Sequence, residues 1–151
     1  MIRRYHPTDK LEVLQLLRLN TPSYFHPSEE QDYLQYLENE LEDYFVYEVD
    51  GHILGAAGIN YFSAEHQARL SWDLIHPHYH KKGIGTKLTQ HPIHHLTQKP
   101  QVNTIVVRTS QFAMPFYEKM GFKTLRFKTD YWAIGYHLYV MTLPLDGKAI
   151  V

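Results

Sequence analysis

The stretch from residue 68 to residue 109 constrains the fold more than any other. Ala68–His76 reads as a strand, with Leu70, Trp72 and Leu74 on one face and Arg69, Ser71, Asp73 and Ile75 on the other. It passes through Pro77 and a polar, basic turn into Gly83-Ile84-Gly85. A helix is expected from Gly83 to about Gln98, with a kink or break near His91 because Pro92 lies inside it. Asn103–Thr109 then reads as a buried, β-branched strand. Strand, helix and strand in that order make a parallel crossover. Upstream, Tyr44–Val49 and His52–Phe62 flank Asp50-Gly51, a hairpin turn signal that demands antiparallel pairing. A sheet holding both must be mixed.

The remaining segments fit around it. Ile2–Tyr5 is a short strand. Asp9-Lys10-Leu11-Glu12 and Ser28-Glu29-Glu30-Gln31 read as capping boxes. They open a helix carrying Val13, Leu14, Leu16 and Leu17, and another carrying Tyr33, Leu34, Leu37 and Leu41. Thr21–Pro27 separates the two and holds Tyr24 and Phe25. Gly55, Ala56, Ala57 and Gly58 suggest that something bulky lies against the return strand. Thr109 or Ser110 caps a further helix that tolerates Pro115 early and stops at Gly121. Phe122–Thr129 and Tyr136–Leu143 are the last strands, joined by Asp130–Gly135. Pro144–Val151 is expected to be a loose tail. The order is β-α-α-β-β-β-α-β-α-β-β, an α/β (α+β) mixed sheet with helices on both sides. Residues 1–151 read as a single domain, without repeat or linker.

The turn before the central helix suits a phosphate. Glycine lets backbone approach a ligand, and a helix start offers N–H groups and partial positive charge. Lys81, Lys82 and Lys87 add cations. Spacing excludes two familiar phosphate loops. The dinucleotide fingerprint needs a third glycine where Leu88 stands, and the string Gly-x-x-x-x-Gly-Lys-Ser/Thr is absent.

What remains resembles the pyrophosphate segment of the GNAT family of N-acetyltransferases, Gln/Arg-x-x-Gly-x-Gly/Ala. Lys81-Lys82-Gly83-Ile84-Gly85 fits from the second position, with His80 at the first. Ala113-Met114-Pro115-Phe116-Tyr117-Glu118-Lys119-Met120-Gly121-Phe122 resembles the same family's second signature, in the expected order. Element order agrees over nearly the whole chain. The resemblance is residue-specific only in Ile75–Leu88 and Ala113–Phe122.

The resemblance implies an acyl-CoA N-acyltransferase fold and direct acetyl transfer from acetyl-CoA, as co-substrate, to an amine. It places the pyrophosphate on N–H groups of Lys82, Gly83, Gly85 and Thr86, with charge from Lys81 or Lys82. Backbone near Leu74 and Ile75 would meet the pantetheine arm and the thioester oxygen. Ser110 stands where the family often has Asn, and would bond the pantetheine. Tyr117 would protonate the leaving sulfur; its alternative is a core tyrosine bordering a face of Phe112, Phe116 and Met120. An alkylammonium of pKa about 10.4 must also lose a proton. Asp73 is the strand acid available for that, as a base or as a salt-bridged surface acid. Glu65, Asp130, His137 and a water chain are fallbacks. Tyr24 and Phe25 either line the acceptor pocket or pack over the core. The aromatic segment Asp130–His137 suits an acceptor cleft, and a homodimer interface explains it equally well.

Composition sets outer limits. The chain has 151 residues, 44% apolar, so disorder is not expected. A net charge of −1 argues against nucleic acid as partner. No run of 18 apolar residues spans a membrane, and the N-terminus lacks an export-type apolar region, so the cytoplasm is expected. There is no cysteine, hence no thiol nucleophile to carry an acetyl group. The 11 histidines include His76, His78, His80 and His91, His94, His95. They read as a metal site or a histidine-rich surface, and with no cysteine or spaced carboxylate no metal is expected. The expected partner is a small-molecule or protein amine acceptor. Two rivals are a non-catalytic CoA sensor and a purely structural interaction domain.

Overall fold

The structure, a computed structural model, describes residues 1–145. Seven strands form one mixed sheet in the order β1-β2-β3-β4-β5-β7-β6. The strands are β1 (Ile2–Arg4), β2 (Asp43–Val49), β3 (His52–Phe62), β4 (Gln67–Ile75), β5 (Thr104–Thr109), β6 (Lys123–Ala133) and β7 (Tyr136–Pro144). The helices are α1 (Lys10–Leu19), α2 (Glu29–Asn39), α3 (Ile84–Thr97) and α4 (Met114–Lys119). The expected element order stands, and the chain packs as two compact units.

The first unit comprises Met1–Asn60 and Ser71–Pro92. Alternation on β2 divides its core. Tyr44 and Val46 face Val13, Leu14, Leu16 and Leu17 of α1 and Tyr33, Tyr36 and Leu37 of α2. Tyr47 faces the other way, with Ala57, Ile75 and the α3 residues Ile84 and Leu88. The β2–β3 turn at Asp50-Gly51 has φ of 51° and 80° at its two central residues, both left-handed as a type I′ hairpin requires.

The small residues of β3 make room for neighbours. Gly58 lies opposite Tyr44 in the ladder. A Cβ built there would stand 2.5 Å from the Asp43 carbonyl oxygen and 3.0 Å from Tyr44 Cα, both backbone. Gly58→Ala must therefore push β2 away, at a cost of about 2 kcal/mol. A lower urea midpoint with an unchanged slope checks this.

Neither helix start is capped as the sequence predicts. Asp9 and Ser28 make no side-chain cap bond. The caps lie three and two residues upstream, at His6 and His26, in two copies of His-Pro-Thr/Ser-Asp/Glu. His6 Nδ1 accepts the Thr8 N–H (3.2 Å) while Asp9 Oδ2 accepts the His6 N–H (2.8 Å). His26 Nδ1 accepts the Ser28 N–H (3.1 Å) while Glu29 Oε2 accepts the His26 N–H (2.9 Å). Histidine thus fills the reciprocal role usually given to serine or threonine. The freed acid Glu12 accepts the Ile53 N–H instead, at 2.6 Å. Arg3 forks onto both Asp9 oxygens (2.9 and 3.0 Å) and also reaches Glu48. Its guanidinium holds the Asp9 carboxyl below its ordinary pKa.

The second unit comprises Tyr61–Leu70 and the chain from Ile93 onward. Gln67–Leu70 pair in parallel with Thr104–Val107, the crossover that the sequence requires. Three expectations change. Helix α3 runs unbroken through Pro92. Strand β6 extends to Ala133, so the loop expected at Asp130–Gly135 shrinks to a tip between Ala133 and Tyr136, with a bulge where Asp130 takes φ 54°. Pro144 ends β7 opposite Thr104, and Leu145 is buried with its N–H on the Asn103 carbonyl (2.8 Å), so neither is loose. The rest of the expected tail, Asp146–Val151, lies outside the described residues.

Candidate active site

In the first unit, β4 ends in a pinned turn. The Ile75 carbonyl accepts from Asn20 Nδ2 and from His80 Nε2, both at 2.9 Å. Asn20 is 2% exposed and also donates to the Leu16 carbonyl at 2.8 Å, so one amide ties the end of α1 to the end of β4. His80, at the position where the family pattern has Gln or Arg, thus braces the turn through the backbone, with the Tyr24 ring edge-on to it at 5.1 Å. The sequence offered no signal for Asn20 beyond a polar residue ending a helix. Asn20→Ala should cost about 2 kcal/mol, because buried carbonyls lose a donor. Calorimetric unfolding checks the loss.

The turn then twists. Lys81 has φ 63° and Gly83 φ 87°, both left-handed. A Cβ at Gly83 would meet no atom within 4 Å, so the backbone faces open space. The first helical bond of α3 runs from the Lys87 N–H to the Gly83 carbonyl, 3.1 Å. The N–H groups of Ile84, Gly85 and Thr86 precede it and have no helical acceptor. Lys81, Lys82 and Gly83 are exposed, Gly85 and Thr86 half-buried. A left-handed turn, open space and leading N–H groups of a 14-residue helix fit a diphosphate.

Ahead of that turn His76 repeats the histidine cap, its Nδ1 accepting the His78 N–H at 3.2 Å. Burial, then the His78 and His80 charges, hold its pKa below 6.5. The neutral ring is therefore the folded form. Its contribution is present above about pH 6.5 and lost as pH falls through the lower folded value. Tm should fall as pH drops from 7 to 5, and fall less in His76→Asn, whose amide oxygen caps without titrating; thermal unfolding at both pH values checks this.

Trp72 interrupts β4 with φ 46°, a conformation that costs a non-glycine residue about 1–2 kcal/mol. It is held on both sides. Tyr33 donates to Tyr44 Oη (2.8 Å), which donates to the Trp72 carbonyl (2.7 Å). The Trp72 ring lies 4.8 Å from the Tyr33 ring and stacks on Phe25 at 6.3 Å. Phe25 thus packs on this aromatic cluster. The expected alternation holds here: Leu74 is buried with α1 and α2, while Ile75 packs toward α3. Asp73 Oδ2 accepts the hydroxyl of buried Thr89 at 3.1 Å.

In the second unit, Tyr117 is the buried side chain of α4, at 3% exposure. Phe112, expected to lead the apolar face, is exposed. The helix ends at Gly121, φ 104°, where Gly121 N–H bonds the Glu118 carbonyl and Phe122 N–H the Tyr117 carbonyl. That closure lays Phe122 edge-on to Tyr117 at 5.6 Å, with Phe116 edge-on at 5.1 Å. Ser110 makes the turn into α4 by its carbonyl, which accepts from Ala113 and Met114, and its Oγ accepts the Phe112 N–H at 3.3 Å. It does not cap the helix by side chain; the N-cap position is Ala113. Two fallback bases serve the β6–β7 hairpin: Asp130 Oδ1 accepts the Gly135 N–H (2.7 Å) and His137 Nδ1 accepts the Asp130 N–H (3.0 Å). Glu65 is exposed in a 3-10 turn. Among the described residues no group of three or more His, Asp or Glu could hold a metal ion, and no helix is long and apolar enough to cross a membrane.

Comparison with known proteins adds four likenesses. A family model, described as an acetyltransferase (GNAT) domain, matches residues 16–143. An N-alpha-acetyltransferase of Sulfurisphaera tokodaii is 25% identical over 170 residues, covering 95% of this chain and 92% of its own. An amino-acid acetyltransferase of Vibrio vulnificus is 27% identical over 143 residues, covering 91% of this chain but 27% of its own. The chain thus spans about a quarter of the length of the amino-acid acetyltransferases it matches. The crystal structure of the ribosomal-protein-S18-alanine N-acetyltransferase from Escherichia coli superposes with a TM-score of 0.80 at 20% identity, over 96% of this chain and 93% of that one.

Proposed function

This chain belongs to the GNAT family of acetyltransferases; from that premise we propose that it is an acyl-transferring enzyme, moving an acetyl group from acetyl-CoA directly to a primary amine of a small molecule or protein. The observation that carries the reading is the turn at Lys81–Gly85, left-handed at two residues and open at Gly83 ahead of α3. When bound, acetyl-CoA supplies the acetyl group as a thioester.

The chain's own residues divide the work. N–H groups of Lys82, Gly83, Gly85 and Thr86 hold the diphosphate, and the Lys81 and Lys82 ammonium groups offset its charge. Leu74 and Ile75 offer backbone to the pantetheine arm; the Ile75 carbonyl is already taken by Asn20 and His80, which leaves N–H groups for that task. N–H groups aimed at the carbonyl oxygen stabilise charge that develops there. The Ser110 hydroxyl proton is available to the arm, since its Oγ accepts rather than donates in the turn. The Tyr117 phenol gives its proton to the leaving sulfur. Asp73 takes the proton of the acceptor ammonium, and the Thr89 hydroxyl on one of its oxygens orients it. With no cysteine to carry an acetyl group, transfer occurs in a ternary complex.

The names of the relatives support an amino acid or a protein N-terminus as acceptor class. Action as a single domain, a cytoplasmic location, and a homodimer through the exposed Leu125, Phe127, Tyr131 and Ile134 are further parts of this proposal. Thiol release measured on an amine panel, with calorimetric titration of acetyl-CoA, tests it. Binding with turnover supports the reading. Tight binding with no turnover on any amine favours a sensor, and no binding removes both.

A further inference from the structure

Among the described residues Arg69 has no counterion. Among the described residues none of its N–H donors meets a protein acceptor, and Nε is fully buried in that state. A guanidinium has five such donors, so the deficit is large. Its Cζ lies 3.9 Å from the centre of the Phe62 ring, which fixes the plane of the group. The ladder pairs Arg69 with Val106, so Arg108, two residues further along β5, lies on the same face of the sheet. Arg108 is itself placed by aromatic groups. Its Nη2 donates to Tyr131 Oη at 2.6 Å, and its Cζ lies 5.1 Å from the Tyr131 ring and 5.6 Å from the Trp132 ring.

Two like charges side by side on one face are costly unless something negative joins them. Among the described residues Glu65 is the acid whose charge reaches Arg69, and it forms no ion pair with it. Burial and then Arg108 hold Arg69 below its ordinary pKa, the direction an uncompensated cation takes. Three other guanidiniums have acid partners: Arg3 with Asp9, Arg4 with Asp43 and Arg18 with Glu30. Arg69 lies on β4, the strand that also carries Asp73, Leu74 and Ile75.

We propose that Arg69 and Arg108 form a carboxylate-binding site on the β4–β5 face, and that the amine acceptor carries a carboxylate which this pair recognises. The guanidinium fork matches a carboxylate in geometry and charge, and the Phe62 and Tyr131 rings hold both forks ready. The identity of the ligand rests on the acyl-transfer reading above; the site itself rests on the unmatched charge.

The test uses matched pairs of amines: the standard L-amino acids, each with its α-amide, and C-terminally amidated tripeptides beginning with Asp or Glu against those beginning with Asn or Gln. Rates are followed by thiol release, and the acidic member of each pair is titrated calorimetrically into wild type, Arg108→Gln and Arg69→Lys. The acid form should show a KM at least about tenfold below its neutral partner. Arg108→Gln should abolish that preference while the acetyl-CoA KM stays unchanged. Arg69→Lys, which keeps the charge but not the fork, should retain part of it. A preference among free amino acids assigns an α-carboxylate, and one among the tripeptides a side-chain carboxylate. Equal KM for acid and neutral members, or a rise in acetyl-CoA KM in Arg108→Gln, overturns the site. If no amine turns over, calorimetry still decides: carboxylate binding lost in Arg108→Gln keeps the site while the transfer reading fails, and no binding in wild type removes it.

Discussion

Gly83→Val is expected to raise the KM for acetyl-CoA about 100-fold, near 2.7 kcal/mol of binding. Two effects contribute and they can be separated. The first is backbone strain. At φ 87° a β-branched residue is unfavourable, and the turn will relax away from its left-handed geometry. The second is occupancy. The new side chain projects into space that holds no protein atom within 4 Å, the space assigned to the diphosphate. Gly51 supplies the control within the same unit. It has φ 80° and equally open surroundings, but it sits at the tip of the β2–β3 hairpin. Gly51→Val should lower Tm by a similar amount and leave acetyl-CoA affinity unchanged. Equal affinity losses in the two variants would mean that strain alone acts, and the diphosphate assignment would fail.

Tyr117→Phe is expected to lower kcat about 100-fold with little change in the acetyl-CoA KM, the signature of a lost proton donor. The phenyl ring keeps the edge contacts with Phe116 and Phe122, so the packing of α4 on the Gly121 closure should survive. Stability should change by no more than about 1 kcal/mol, the worth of one hydroxyl hydrogen bond. The deficit should shrink with an acyl donor whose leaving thiol has a lower pKa, because such a thiolate departs without protonation. A structural tyrosine would show no such dependence on the leaving group. An undiminished kcat in Tyr117→Phe would remove the general acid from the mechanism.

The element order was legible because its signals are local. Asp50-Gly51 makes its hairpin by its own backbone preference, and Gly121 stops α4 for the same reason. The crossover followed from the order of strand and helix patterns alone. Where the reading slipped, the decisive contact was distant or the residue type was unusual. The helix starts stand where Asp9 and Ser28 put them, but the capping groups were misassigned because histidine stands outside the usual set of N-cap residues; the repeated His-Pro-Thr/Ser-Asp/Glu was visible but its imidazole acceptors were not. Strand β6 was cut short because, exposed along most of its length, it shows no apolar alternation.

The site divides in the same way. Lys81–Gly85 was readable, since glycine spacing before a helix is a property of the local chain. Asn20 was not, because its partner Ile75 lies 55 residues away. Arg69 appeared only as a neighbour of Asp73 on an alternating strand. That no described acid pairs with it shows only once the β4–β5 register sets Arg108 beside it.

The three imidazole caps bear on how a rate profile of this enzyme is to be interpreted. At His6, His26 and His76 the ring receives an amide proton on Nδ1, which only an uncharged imidazole does. Acidification thus strikes the approach to α3, where burial holds the His76 ring neutral in the folded chain. A falling acid limb would mix loosening of the scaffold with protonation of whatever group deprotonates the amine. Assigning that limb to Asp73 requires Tm at every pH point, and histidine variants that flatten Tm without flattening the rate.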